Sequence, residues 1–485
     1  MSATFIEHYR RLSAEDPTAP AVTFGDTTLT RDELVRRSEA VGQHLLSLGV
    51  AEGDFVSLVL PNGLEMIVAT LACWFAGAVP QPLSTKMART ELDAILDLTS
   101  PRVVIGDIDD LSVPCVPTAM DVPESKGDLP ARVSPHWKAP TSGGSTGRPK
   151  VIVAAQPAVW EEVSGFADLL AVTGRTSLIT APLSHNGPFI CALLTILSGG
   201  HAVVLGRFDA EETLRAIERH RIEWIYAVPT MMGRILKLGD EMRTSFDISS
   251  VRALMHMAAP CPPSVKLAFL DWLGPKTVLE LYTGTEVQAV TVLDGEEWLA
   301  HPGSVGRAVL GEISVRDDSG RALPPHVTGR VYLRRGPGIP SPYFYLGATP
   351  NALDDGWETL GDLGHLDVDG YLYLADRDTD MILVGGSNVY PAEVEAALLD
   401  HPLITDACVI GLPHEDLGAA VHAIVRASSD VAEDDLRAFV QDRLTTYKRP
   451  NSYEFVEEPL RDDAGKVRRS ALRAQRLTRA ADGLI

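Results

Sequence analysis

Short apolar runs alternate with helix-patterned stretches through most of this chain, and that alternation restricts the fold more than any single residue does. The runs at 55–60, Val103–Ile105, 178–181, 202–205 and 224–228 have the length and β-branched content of buried strands, while stretches such as 211–220 read as helix. Strands that alternate with helices bury their apolar faces as stacked layers, so an α/β architecture is expected. Near the start, 21–24 and 27–29 flank Gly25 and Asp26, which predicts a tight turn between two strands. A helix should follow, because Thr30 and Glu33 make a capping-box pattern ahead of Leu34, Val41, Leu45 and Leu48 at helical spacing.

The character changes twice further on. Residues 326–374 carry closely spaced short strands with a turn at Asp369 and Gly370, which predicts a β-rich unit. After Asp376 a new unit starts, with a helix over 391–399, strands at 407–410 and 421–425, and a second helix capped by Asp430 with Glu433. A chain of 485 residues exceeds what one core supports. The expected organisation is a large N-terminal domain, residues 1–377, of layered α/β subdomains plus the β-rich unit, followed by a small α+β C-terminal domain, residues 378–485.

Five scattered cysteines, with no CxxC or Cys/His spacing, argue against a disulfide framework or a zinc site and predict buried thiols in a reducing cytoplasm. The formal charge of −22 disfavours nucleic acid as a partner, although local basic groups can still hold a small phosphate ligand. The arginine-rich stretch 468–479 reads as a solvated helix. Residues 1–10 show no export pattern, and the apolar run 66–80 is shorter than a membrane span and contains Gly77. A cytoplasmic protein with no membrane span is expected.

The chemistry is concentrated first in residues 141–150. Gly143, Gly144 and Gly147 let a ligand approach main-chain N–H groups, Ser142, Ser145 and Thr146 add hydroxyls, and Lys150 adds charge, a composition suited to phosphates. No Gly-Lys-Ser/Thr ending is present, so this is not a Walker A loop. Four further groups follow in order: Tyr282, Gly284, Thr285 and Glu286; Gly361 and Asp362; Asp376 and Arg377 with Gly385 and Gly386; and Gly465 and Lys466.

Together these five motifs resemble, over nearly the whole chain, the adenylate-forming superfamily of acyl-CoA ligases, peptide-synthetase adenylation domains and luciferases. The resemblance implies ATP- and Mg²⁺-dependent activation of a carboxylic acid as an acyl adenylate, with transfer to the thiol of CoA and a C-terminal domain that rotates between the two half-reactions. It assigns the β- and γ-phosphates to the 142–150 loop, Mg²⁺ to Glu286, adenine to Tyr282, and the ribose to Asp362 and Arg377. Lys466, on the mobile domain, would bridge the substrate carboxylate and the α-phosphate, with Thr285 beside it. Gly385 and Gly386 would line a pantetheine channel, and His185 would border the acyl site.

The pattern departs from the family at three places. Gly143 stands where a hydroxyl is usual, Ala258 narrows a pocket floor that is usually Gly-Gly-Ala-Pro, and Thr379 occupies the hinge position. Bile-acid and steroid-type CoA ligases are similar in the loop and the floor, and fatty-acid CoA ligases are related. No aspartate suited to an α-amino group lies in 182–189, so a hydrophobic or aromatic acid is expected. Activation of another oxyanion, such as nitrite for diazotisation of an aryl amine, loading of a separate carrier protein, and a monomer or homodimer remain open readings.

Overall fold

The computed structural model describes residues 2–118, 132–142, 149–353, 355–377, 380–384, 387–414, 417–462 and 465–481. The expected alternation is realised as layers. Among the described residues the largest sheet has nine strands, and its centre is parallel: Pro20–Phe24, His201–Val204, Thr176–Ile179, Trp224–Ala227, Ala253–His256 and Val278–Tyr282 lie side by side in that order. Antiparallel strands close both edges. Thr27–Thr30 returns from the turn at Gly25, whose φ of 58° suits a residue without a Cβ. On the other side Val290–Asp294 and Ala308–Leu310 continue the sheet.

A second, parallel sheet is built from Val79–Leu83, Phe55–Val59, Val103–Ile105 and Cys115–Val116. The apolar run that was too short for a membrane becomes the helix Leu64–Ala76, buried at every position but Glu65, ended by Gly77 in the left-handed region at φ 75°. Among the described residues no helix is long and apolar enough to cross a membrane. Helix Arg31–Ser47 packs on Leu64–Ala76, and its capping box forms as the sequence predicts: Thr30 Oγ1 accepts from Glu33 N, and Glu33 Oε2 accepts from Thr30 N. Two neighbouring hydrophobic cores fill the faces of the large sheet, one of them around Trp74, Phe189 and Trp224.

The β-rich unit is an antiparallel sheet of Glu312–Arg316, Gly329–Arg334, Asp362–Leu366 and Leu372–Arg377, so it begins before residue 326. After it the long hairpin Ile404–His414 and Gly418–Ala427 takes Ser452–Phe455 as a parallel neighbour and is covered by helices Pro391–Leu399 and Glu433–Gln441. The 378–379 step, where the expected domain boundary and Thr379 fall, lies outside the described residues.

Three expectations are corrected. Asp430 does not cap helix Glu433–Gln441: Ala432 is the N-cap, without a side-chain bond. Cys115 is exposed and Cys261 only partly buried, whereas Cys73, Cys191 and Cys408 are buried thiols as expected. The arginine-rich stretch forms the helix Arg469–Ala481 but is not simply solvated, because Arg476 is buried against Glu454 and Arg469 reaches both Asp380 and Glu395. A buried arginine needs paired acceptors, and these carboxylates supply them.

Candidate active site

A cavity of about 2410 Å³ opens at the ends of the central strands, and the sequence motifs converge on it. Its position outside the carboxyl ends of parallel strands is where α/β sheets place ligands. Lys150, His185, Tyr282, Thr285, Glu286, Asp362 and Lys466 all line it, although they come from segments far apart in the chain.

Glu286 is the most constrained of them. It follows the strand Val278–Tyr282, it is 5% exposed, and Tyr345 donates its phenolic hydrogen to Oε1 at 2.5 Å. Lys150, the first residue of strand Lys150–Ala154, sits 3.4 Å from the same oxygen and 3.1 Å from the Tyr345 hydroxyl, with its ammonium 4.2 Å from the centre of the Tyr345 ring. Burial and the neighbouring Glu286 carboxylate raise the pKa of that phenol, so it stays a donor. The strand Tyr343–Leu346 pairs with Lys150–Ala154, and this pairing holds the lysine and the tyrosine together. Val287 follows at φ 54°, costly for a β-branched residue and typical of functional turns.

Mg²⁺ fits this corner on the chemistry of its donors. Glu286 offers a buried anionic oxygen of the hard type Mg²⁺ prefers.

Elsewhere on the cavity wall, Tyr282 donates to Asp362 Oδ2 at 2.7 Å, which sets both the ring and the carboxylate. Asp362 is 8% exposed and opens its strand after Gly361, whose φ of 87° makes the turn. Arg377 pairs with Asp362 across the sheet through the backbone. Behind Tyr282 lies a buried charged group that sequence reading missed: Lys266 donates to Glu280 Oε2 at 2.9 Å and lies 2.7 Å from His256 Nε2. Burial and Lys266 hold the pKa of His256 far down, so the imidazole is neutral, and burial raises that of Glu280. The three side chains pin neighbouring strands beneath the floor residue Ala258, which itself sits at φ 73°, a left-handed conformation costing a residue with a Cβ about 1–2 kcal/mol.

Lys466 arrives on a tight hairpin in which Asp462 caps Lys466 N and Arg461 pairs with Val467. Gly465, at φ 75°, packs the hairpin on the large domain: a Cβ there would lie 2.9 Å from Val228 Cγ2 and 3.1 Å from Thr230 Oγ1. Among the described residues, further bridges between the two parts are polar ones such as Lys237 to the Ile404 carbonyl, Ser264 to Asp400, and Arg468 to Glu91. Interfaces of that kind suit relative motion. Gly465→Ala is therefore expected to undock the hairpin, lowering adenylate formation about tenfold by the left-handed penalty alone, while thioester formation from a supplied acyl adenylate keeps its rate. Separate stopped-time assays of the two steps check this.

His185 is the N-cap of the buried helix Asn186–Leu197 and faces the cavity. The phosphate-loop residues Gly143, Gly144, Ser145, Thr146 and Gly147 lie outside the described residues, as do Gly385 and Gly386, and the side chains of Ser142 and Arg377 are likewise outside them. Sequence reading also missed Tyr345, which belongs to no motif; its only signal was the alternation of Tyr343, Phe344 and Tyr345 in one strand.

Comparison with known proteins matches this arrangement. The AMP-binding enzyme family matches residues 9–344, and the AMP-binding enzyme C-terminal domain matches 393–466. The chain belongs to the AMP-binding enzyme family. Within it, the chain is 32% identical to a feruloyl-CoA synthase of an Amycolatopsis species, over 96% of this chain and 97% of that protein. It is 29% identical to the 2-succinylbenzoate–CoA ligase of Bacillus licheniformis, over 94% and 97% respectively. The o-succinylbenzoate CoA synthetase of Bacillus subtilis, solved with its acyl-adenylate intermediate, superposes with a TM-score of 0.82 at 25% identity, covering 97% of this chain and 98% of that one. The same AMP-binding enzyme was also solved with ATP and magnesium, with a TM-score of 0.80. The resemblance to adenylate-forming acyl-CoA ligases read from the motifs is therefore correct.

Proposed function

We infer that this AMP-binding enzyme is an ATP- and Mg²⁺-dependent acyl-CoA ligase for a hydrophobic or aromatic acid. The observation that carries the reading is the convergence of Lys150, Glu286, Asp362 and Lys466 on one cavity whose other wall, including Phe166, Leu169, Ile190, Tyr226 and Met257, is apolar. Such a site accepts a polyanion at one end and an apolar acid at the other. The relatives named for ferulate and 2-succinylbenzoate point the same way.

In this reading the 142–147 loop and Lys150 hold the β- and γ-phosphates. Glu286 would hold Mg²⁺, which when bound neutralises charge on the departing pyrophosphate. Asp362 accepts from the ribose, with Arg377 beside it, and Tyr282 lies against adenine. Lys466 brings its ammonium between the carboxylate and the α-phosphate, two anions that otherwise repel, and Thr285 lines the same junction. The pantetheine thiol would then enter past Gly385 and Gly386 once the C-terminal domain, 378–485, has turned, with His185 at the edge of the acyl site.

Pyrophosphate release tests the reading. Purified protein with Mg-ATP is offered aryl and aliphatic acids, with and without CoA, and nitrite with an aryl amine. An organic acid should release pyrophosphate and, with CoA, yield a thioester by mass spectrometry. Release with nitrite alone, or an amide product formed without CoA, would overturn it. The nitrite alternative is not favoured by relatives that are CoA ligases.

A further inference from the structure

One charged side chain near the reaction centre is not used by the mechanism above. Lys138 is 4% exposed, on the segment 136–140 whose backbone bonds run to the strands on either side, with Ala139 N donating to Pro80 O and Ala154 N donating to Lys138 O. Its ammonium donates to Asn186 Oδ1 at 2.7 Å. Asn186 is the first residue of the helix Asn186–Leu197, adjoins His185, and lines the cavity.

The pairing settles the orientation of the amide. Asn186 turns its carbonyl oxygen toward Lys138 and so its Nδ2 group away from it, the orientation that the donor-only ammonium form requires. No acceptor within the described residues bonds Nδ2, and Asn186 is partly exposed and lines the cavity. We propose that Asn186 is a further substrate contact of the adenylation step, donating from Nδ2 to the carboxylate of the incoming acid, and that Lys138 is the positioning residue that holds the amide in that orientation.

The cost of Lys138 supports a functional role. A buried ammonium whose compensation is one amide acceptor and the Trp137 ring, 5.0 Å away, is held at a cost that a packed apolar side chain would avoid. Burial lowers its pKa to about 7, opposed by the nearby Glu286 carboxylate. Positive charge kept in such a place is useful when a second anion arrives, and the acid is that anion. Lys138 thus complements Lys466, which approaches the junction of carboxylate and phosphate on its own hairpin: Lys138 acts from behind, through an amide that stays in place when the C-terminal domain turns.

The inference rests on the acyl-CoA ligase reading, and the experiment separates the two. Pyrophosphate release is measured against acid and against ATP for the wild type, Asn186→Ala, Asn186→Asp, Lys138→Met and the Lys138→Met/Asn186→Ala pair, each with a thermal melt. Loss of one hydrogen bond to a carboxylate raises the KM for the acid about tenfold or more, with the KM for ATP unchanged. The double variant should be no worse than the worse single, because the two residues act as one unit. Lys138→Met should keep or raise the Tm, since it removes a buried charge. Asn186→Asp, which leaves Lys138 a partner and so protects the fold, should raise the KM for the acid further by repulsion. A wild-type KM for the acid in Asn186→Ala, a rise confined to ATP, or a Tm that falls in Lys138→Met in step with activity would overturn the proposal. A wild type that turns over no acid would overturn the function reading instead.

Discussion

Lys466→Ala removes adenylate formation and leaves thioester formation standing. The expected loss in the first step is about 10²–10³-fold or more, the scale of removing a preorganised donor from a developing charge, whereas a supplied acyl adenylate should be converted to its CoA thioester at the wild-type rate. The asymmetry follows from where the lysine sits. Its backbone is fixed by Asp462 and by the close approach of Gly465 to Val228 and Thr230, on a part of the chain bridged to the large domain by polar contacts such as Lys237 to Ile404 and Ser264 to Asp400. If the hairpin withdraws between the two steps, as the proposed function has it, the lysine withdraws with it and its charge serves only the step for which it is docked. The measurement is paired: pyrophosphate release for the first step, thioester by mass spectrometry for the second. Equal losses in both would mean that Lys466 supports the fold of its hairpin and not the transition state.

Much of this was legible in the sequence because it is local. The capping box at Thr30 and Glu33 and the turn at Gly25 formed as written, since each depends on residues within a few positions. The alternation of strands and helices predicted the layers, and Lys150, Glu286, Asp362 and Lys466, singled out through the resemblance, line one cavity. What escaped depends on partners distant in the chain. Tyr345 meets Glu286 only because Tyr343–Leu346 pairs with Lys150–Ala154, almost two hundred residues earlier. Lys138 carries no local mark of burial, because nothing near it in the sequence says that Asn186, at the start of a distant helix, will meet it. The failed cap at Asp430 shows the reverse case: a local pattern is present, but helix Glu433–Gln441 starts from Ala432 and makes no use of it. Arg476 likewise is buried against a partner, Glu454, that no charge count reveals.

Glu286→Gln should be nearly as damaging as loss of Lys466, by a different route. The amide can still accept from Tyr345 and still fills the same volume, so the fold around it is kept. What disappears is the negative charge, and with it the hard oxygen that Mg²⁺ prefers. Pyrophosphate release is expected to fall about 10²–10³-fold, with the Mg²⁺ concentration for half-maximal rate moving upward. Lys150, 3.4 Å from Glu286, supplies the discriminating measurement. Without the carboxylate its charge is no longer partly neutralised, and the site loses an anion that repels phosphates. In the absence of Mg²⁺ the variant should therefore bind ATP as tightly as the wild type or more tightly, while in its presence it binds more weakly. Calorimetric titration of ATP with and without Mg²⁺, with no acid present, reads both directly. Weaker binding under both conditions would make Glu286 a structural clamp for Lys150 and Tyr345 rather than a metal ligand, and the metal would then have to be held elsewhere in the cavity.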